Sequence, residues 1–143
     1  MALGDVTDTI AGESCSIELL ASVIAANGIP TTTAGIDLNL VKRALGKIPK
    51  SARIGVKSTT GSGTMTVTLR AWGRAGGNWF RLKDLNASSA APHTAVAVAE
   101  TSADALQYTE VVDGIEVCDR LFLEVVAIAG TNTAVTGYAA FGK

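Results

Sequence analysis

Catalysis that depends on histidine has one candidate residue in this chain, because His93 is the single histidine. A Ser-His-Asp site would use its imidazole as a general base between a serine and a carboxylate, and both residue types are abundant. No nucleophile-elbow motif or other local signature accompanies His93, which follows Pro92 in a polar stretch. We therefore interpret His93 as a loop residue, predict that the protein is not an enzyme, and assign no catalytic residue.

Metal and redox chemistry have equally few candidates. One histidine cannot build a histidine cluster, and Cys15 and Cys118 fit no ligand or redox spacing, so we interpret them as buried thiols rather than a disulfide. Asp113, Glu116 and Asp119 have a spacing that could chelate calcium. Their segment lacks the Asp- and Asn-rich loop of calcium sites, which favours an acidic turn between strands. We predict no metal and no cofactor.

Two neighbouring motifs could bind a ligand. The stretch 73–77 (GRAGG) is glycine-rich, but no Lys-Ser/Thr pair and no helix follow it, so it does not form a phosphate cradle. Trp72 and Trp79 flank this stretch. They could pack together as a cross-strand pair that covers one end of the fold, or form a sugar platform as in carbohydrate-binding modules. Packing is favoured, because only 5% of the residues are aromatic and the core needs them.

Charged residues are segregated along the chain. Residues 1–37 contain five acids and no base, residues 38–83 contain ten bases and no acid, and residues 84–124 contain eight acids and only Arg120 as a base. The favoured explanation is cross-strand pairing within one subunit, and the alternative is two oppositely charged faces that meet between subunits or on a larger assembly. A net charge of −1, with only Trp72, Trp79 and Phe80 available for stacking, disfavours a nucleic-acid partner.

Length and hydropathy set the general class. A chain of 143 residues with 48% hydrophobic residues can bury the core of a single domain, built here mainly from Val, Ile, Leu and Ala. No apolar run reaches the roughly 18 residues of a membrane helix. The start, MALGDVTDTIAGESC, lacks the basic and apolar regions of a signal peptide. We predict no membrane partner and synthesis in the cytoplasm.

Apolar residues recur mostly with the period of two that is typical of strands, which predicts eight or nine short strands and no convincing helix. Cys15–Ile24 fits helical and strand spacing alike, and a strand is favoured because the later segments are β. Val41–Lys50 could hold one helical turn, which Gly46 and Pro49 would stop. The other predicted strands are Ile36–Leu40, Arg53–Ser58, Thr64–Trp72, Asn78–Leu82, Thr94–Glu100, Leu106–Val112, Leu121–Ile128 and Thr133–Phe141.

Turn residues predict how some strands pair. We interpret residues 53–82 as a three-stranded meander with reversals at 59–63 and at Gly76–Gly77, and Gly130 to Asn132 predict a hairpin between the last two strands. The whole pattern predicts an all-β fold, an antiparallel β-sandwich, with residues 15–143 as its single domain. Residues 1–14 are predicted to form an extended N-terminal arm, with a frayed terminus as the alternative.

Four segments together form a recognisable pattern, namely IELLAS (17–22), GIDLNL (35–40), RIGVKSTTGSGTMTVTLRAWGRAGGNWFRL (53–82) and VDGIEVCDRLFLEVVAIAGTNTAVTGYAAFGK (112–143). They resemble small β-sandwich virion proteins of tailed bacteriophages. In that family a strand, a Ser/Thr-Gly turn, a TLTV-type strand, a Gly-Gly pair and a tryptophan precede an ending with Gly-Ile/Leu, Asp-Arg and two alternating strands. The resemblance implies a jelly-roll-like fold and a structural role, which best suits a head decoration (cement) protein.

The same resemblance implies partners and a location. The expected partners are the major capsid protein lattice and further copies of this chain in a homotrimer, on the exterior of the capsid. The predicted interface combines apolar residues of the arm with two bases of a central strand, namely Leu3, Val6, Ile10, Arg70 and Arg74. The alternatives are a tail, head-fibre or baseplate adaptor with the same sandwich, or a carbohydrate-binding module on a host-recognition structure.

Overall fold

A computed structural model describes residues 6–10, 13–23, 27–28, 30–31, 34–58, 63–84, 95–100, 107–130 and 135–142. These residues are mostly β, which confirms the predicted fold class. A short 3-10 turn, Ile115–Val117, precedes the ninth strand. In chain order the elements are β1 (Val6–Ile10), β2 (Ser14–Val23), β3 (Ile36–Asp37), α1 (Asn39–Leu45), β4 (Ser51–Ser58), β5 (Gly63–Ala75), β6 (Asn78–Asp84), β7 (Ala95–Glu100), β8 (Gln107–Asp113), β9 (Arg120–Gly130) and β10 (Val135–Gly142).

The strands form two antiparallel five-stranded sheets. Sheet A has the order β1-β2-β10-β4-β8, and sheet B has the order β3-β9-β5-β6 with β7 paired to β5. With 13 residues, β5 is long enough to pair with β7 along its first half and with β6 along its second half, on the edge opposite β9. The chain changes sheet at the β2–β3, β3–β4, β4–β5, β7–β8, β8–β9 and β9–β10 connections.

The core lies between the two sheets and consists of inward-facing aliphatic side chains from both. Leu121, Leu123 and Val125 on β9 are each at most 1% exposed. Leu20 of sheet A and Leu123 of sheet B meet over Gly137, where an added Cβ would lie 3.1 Å from a side-chain carbon of each leucine. Because burial of one such side chain contributes roughly 1.5–3 kcal/mol, this interdigitated layer is a main source of stability.

Helix α1 packs against β2 and completes the core at one side of the sandwich. Its start is fixed by Asp37, whose Oδ1 accepts a hydrogen bond from the backbone N–H of Asn39 at 2.9 Å. Val41 and Leu45 face inward and are buried. The strand predicted over Ile36–Leu40 is therefore wrong beyond Asp37. The predicted stop at Gly46 is confirmed, since this residue is the left-handed C-cap of the helix.

Two predicted pairings are wrong. The last two strands were expected to form a hairpin, but β9 pairs with β3 and β5, whereas β10 pairs with β2 and β4. The expected meander is divided in the same way, because β4 lies in sheet A, and only its second reversal, at Gly76–Gly77, joins paired strands. Turn residues specify only that the chain reverses direction. After the turn, an apolar strand buries about as much surface in the opposite sheet as it would beside the preceding strand, so burial does not decide which sheet it joins.

Local predictions were more accurate. The segment from Cys15 is a strand, as predicted. In the strands predicted over Arg53–Ser58 and Thr64–Trp72, the alternating apolar residues Ile54, Val56, Val67, Leu69 and Ala71 are all buried. Cys15 and Cys118 are buried free thiols, as predicted.

The N-terminal region contributes a strand to the sandwich. Residues 6–10 of the predicted arm form β1, which pairs antiparallel with β2 at one edge of sheet A, and Ser14 already belongs to β2. Leu3 and His93 lie outside the described residues. Within the described ranges, no helix is long and apolar enough to cross a membrane.

Candidate functional site

The outer surface of sheet B brings together both tryptophans and two residues of the predicted interface. On β5, Arg70, Trp72 and Arg74 alternate with the buried Leu69 and Ala71 and therefore point away from the core. We call this surface the outer aromatic face. It consists of Arg70, Trp72 and Arg74 of β5, Trp79 of β6, and Phe122 and Glu124 of β9.

Glu124 is the buried polar centre of this face. It is 6% exposed, it accepts a hydrogen bond from Trp72 Nε1 at 2.9 Å, and its Oε1 lies 3.5 Å from Arg70 Nη1. A carboxylate so far from water requires such partners, because burial of an unpaired charge is strongly unfavourable. The sequence did contain a signal that was missed, since Glu124 is the one charged residue between Leu121 and Ile128.

Arg74 is held by Asp119 through two parallel contacts, Nε to Oδ1 and Nη2 to Oδ2, each at 3.1 Å. This hydrogen bonding lowers the pKa of Asp119 and raises the pKa of Arg74. Arg120 lies directly opposite Arg74 on β9. The two like charges use different acceptors, because Arg120 donates to the carbonyls of Ala34 and Gly35 at 2.9 and 3.1 Å.

These contacts bear on the segregation of charge. Arg70 and Arg74 come from the basic block, and their partners Glu124 and Asp119 come from the following acidic block. At these two positions the charges pair within one chain, which is the arrangement favoured by the sequence. The assignment of Arg70 and Arg74 to an intersubunit interface stays a prediction.

The tryptophans do not form the predicted pair. The strand register places Trp72 opposite Arg81 and Trp79 opposite Arg74. Trp79 instead packs edge-on against Phe122, with ring centroids 6.1 Å apart and planes at 67°. Its Nε1 donates to the backbone carbonyl of Thr31 at 2.8 Å. Both indoles are half-buried, and both N–H groups have acceptors within the chain.

Asn27, which lies between β2 and β3, bonds to the edge of β9 through both its backbone and its side chain. Its backbone N–H donates to Val125 O at 3.3 Å, its Nδ2 donates to Leu123 O at 3.1 Å, and its Oδ1 accepts from Val125 N at 2.8 Å. No periodic signal marks Asn27 in the sequence, which is why sequence reasoning missed it. Among the described residues between β2 and β3, Asn27, Thr31, Ala34 and Gly35 are thus hydrogen-bonded to sheet B.

The three acids considered for calcium are used differently. Asp119 pairs with Arg74, while Asp113 and Glu116 are exposed. Among the described residues, no group of three His, Cys, Asp or Glu side chains could hold a metal ion. Burial raises the pKa of Cys118, whose Sγ donates to the carbonyl of Gly114 at 3.5 Å, so this group is held as a thiol.

The arrangement on sheet B therefore holds aromatic rings and guanidinium groups in fixed positions through contacts within the chain. Comparisons of the chain with protein-family models, with curated proteins and with solved structures give no match.

Proposed function

We propose that this protein is a structural virion protein of a tailed phage, a capsid decoration protein that binds the outer capsid lattice. The observation that carries the proposal is the strand order. β2-β10-β4-β8 of sheet A lie over β3-β9-β5-β6 of sheet B, and most connections change sheet. This order fits a jelly roll, a fold that recurs in viral capsid domains. The sequence resemblance described above supports the same class.

The mechanism is physical rather than chemical. A rigid sandwich that contacts several capsid subunits at once binds the assembled shell better than free subunits, and by mass action it stabilises the assembled state. The N-terminal region would add contacts between copies in a homotrimer. β1 ends sheet A, so its outer edge could pair with a neighbouring chain, and Leu3, Val6 and Ile10 would supply apolar contacts.

Two measurements test the proposal. Light scattering at low and high salt gives the mass in solution, and a homotrimer is expected. Co-sedimentation with shells assembled from the major capsid protein of the same genome gives binding, and bound shells should melt at a higher temperature than bare shells. A protein that neither binds nor stabilises these shells would contradict a decoration role.

The alternatives predict different results. A tail, head-fibre or baseplate adaptor would bind purified tails or connectors and leave the shell lattice bare. A carbohydrate-binding module would use exposed, coplanar tryptophans, and its fluorescence would change on addition of host glycans. The internal hydrogen bonds of Trp72 and Trp79 favour the decoration role over this module.

A further inference from the structure

One end of the sandwich carries a concentration of exposed positive charge. Lys42 and Arg43 lie on the exposed side of α1, and Lys47 and Lys50 follow it within eight residues of Lys42. The structure places carboxylates within 4.0 Å of Arg70 and Arg74, but among the described residues it gives none of these four cations such a partner. We call Lys42, Arg43, Lys47 and Lys50, together with Val117, the basic end.

Val117 belongs to this surface because its segment is joined to the α1 segment at both ends. The backbone N–H of Leu38 donates to Asp119 O at 2.9 Å, and the N–H groups of Gly114 and Ile115 donate to Lys50 O at 3.0 and 3.2 Å. The segment that contains the 3-10 turn is therefore bonded to both ends of residues 38–50. Val117 at its end is 66% exposed, which is the greatest exposure among the large apolar side chains that the structure describes.

Acidic groups near the basic end do not cancel its charge. Asp119 is engaged by Arg74, and Asp37 accepts the hydrogen bond that starts α1. The remaining exposed acids on residues 113–119 are Asp113 and Glu116, and Glu13 is exposed directly before β2, the strand against which α1 packs. The four cations still outnumber these three acids, although the chain as a whole has a net charge of −1.

We propose that the basic end is the surface by which this protein docks on an acidic protein surface of the capsid lattice, and this inference rests on the proposed function. Four exposed cations on one segment and an exposed apolar side chain on the segment bonded to it suit a protein interface, in which an apolar contact is combined with charged groups at its rim. A nucleic acid fits less well, because phosphate recognition uses neither an apolar centre nor interspersed acids such as Asp113 and Glu116.

The test compares charge reversals in two places. Lys42→Glu combined with Lys47→Glu changes the basic end, whereas Arg53→Glu reverses an exposed cation on the outer side of β4. Affinity for shells is measured by co-sedimentation at several salt concentrations, with light scattering as a check on assembly and circular dichroism as a check on folding. We expect the double variant to lose roughly tenfold or more in affinity and the control to stay within about twofold of the unaltered protein.

A third variant, Val117→Ser, tests the apolar contact without changing charge. Its affinity should fall by roughly threefold to tenfold at all salt concentrations, because its contribution is not electrostatic.

The outcomes separate the two proposals. If the unaltered protein binds shells and the double variant binds equally well, the basic end is not the docking surface, and the decoration role stands. If the unaltered protein binds no shell, both proposals fall. Binding of duplex DNA that is lost in the same double variant would reassign the basic end to nucleic acid and overturn the inference.

Discussion

We expect the substitution Gly35→Ala to lower the free energy of unfolding strongly, although it adds only one methyl group. It has a φ of +74°, a conformation that disfavours any residue with a Cβ by roughly 1–2 kcal/mol. A Cβ at this position would also overlap the carbonyl oxygen of Leu121, and it would lie 2.9 Å from the carbonyl carbon of Leu121 and 3.1 Å from Phe122 Cα. These are backbone atoms of β9, which is already fixed by its pairing with β5.

The expected loss follows from these two effects. Forcing a methyl group into packed backbone typically costs about 1–3 kcal/mol, so Gly35→Ala should lower the free energy of unfolding by about 2–5 kcal/mol in total. Gly46→Ala is the matched control. Gly46 has a φ of +83° but nothing within 4 Å of an added Cβ, so it should lose only about 1–2 kcal/mol. Changes in unfolded-state entropy are common to both variants and cancel in the comparison.

Urea denaturation followed by far-UV circular dichroism and tryptophan fluorescence measures both variants. The decisive quantity is the difference between them, about 2 kcal/mol, which isolates the contact of Gly35 with β9. Equal losses in the two variants would refute the close approach of the β2–β3 connection to sheet B. A loss in Gly46→Ala that exceeds the loss in Gly35→Ala would refute it more strongly.

Three further predictions concern charged and reactive side chains. A double-mutant cycle on Arg70→Met and Glu124→Gln should give a coupling energy of about 1–2 kcal/mol in urea unfolding, and a coupling near zero would show that the Arg70–Glu124 contact does not stabilise the fold. The pKa of Asp119 is lowered in the folded protein by its interaction with Arg74. This interaction therefore stabilises the fold fully at pH values above the unfolded-state pKa of about 3.9, and the stabilisation disappears as the pH falls through the lower folded-state pKa. The stability advantage over Asp119→Asn should therefore shrink between pH 6 and pH 2.5, and an advantage that is constant with pH would contradict this account. Cys118 should react with a disulfide reagent at pH 8 at least ~100-fold more slowly in the folded protein than in urea, whereas comparable rates would contradict its burial.

Local patterns in the sequence predicted local structure well. Alternation of apolar residues located β2, β4, β5 and β6 to within a few residues, and the glycines at 46 and 76–77 marked a helix end and a reversal. The fold class followed from these strands. An alternation of apolar residues with a period of two shows which face of a strand is buried. The same alternation is expected in either sheet, so it does not tell which sheet the strand joins.

Sheet membership could not be predicted in this way. The hairpin expected between β9 and β10 fails because their neighbours are strands far away in the sequence, and turn residues carry no information about those neighbours. The outer aromatic face was not predicted. Arg70 and Arg74 were assigned to an interface between subunits, which stays a prediction. Their partners Glu124 and Asp119 depend on the register between β5 and β9, which the sequence does not specify.

The three hydrogen bonds of Asn27 affect how the edge of β9 can pair with a neighbouring copy of the protein. A shell that binds many copies of one protein holds them at very high local concentration, and an open apolar strand edge under those conditions pairs readily with its counterpart on a neighbour. The short β3 pairs only with the start of β9, and the Asn27 amide occupies the next outward backbone groups, at Leu123 and Val125. At Leu123 and Val125 this one side chain therefore takes the backbone groups of β9 that a strand from a neighbouring copy would need.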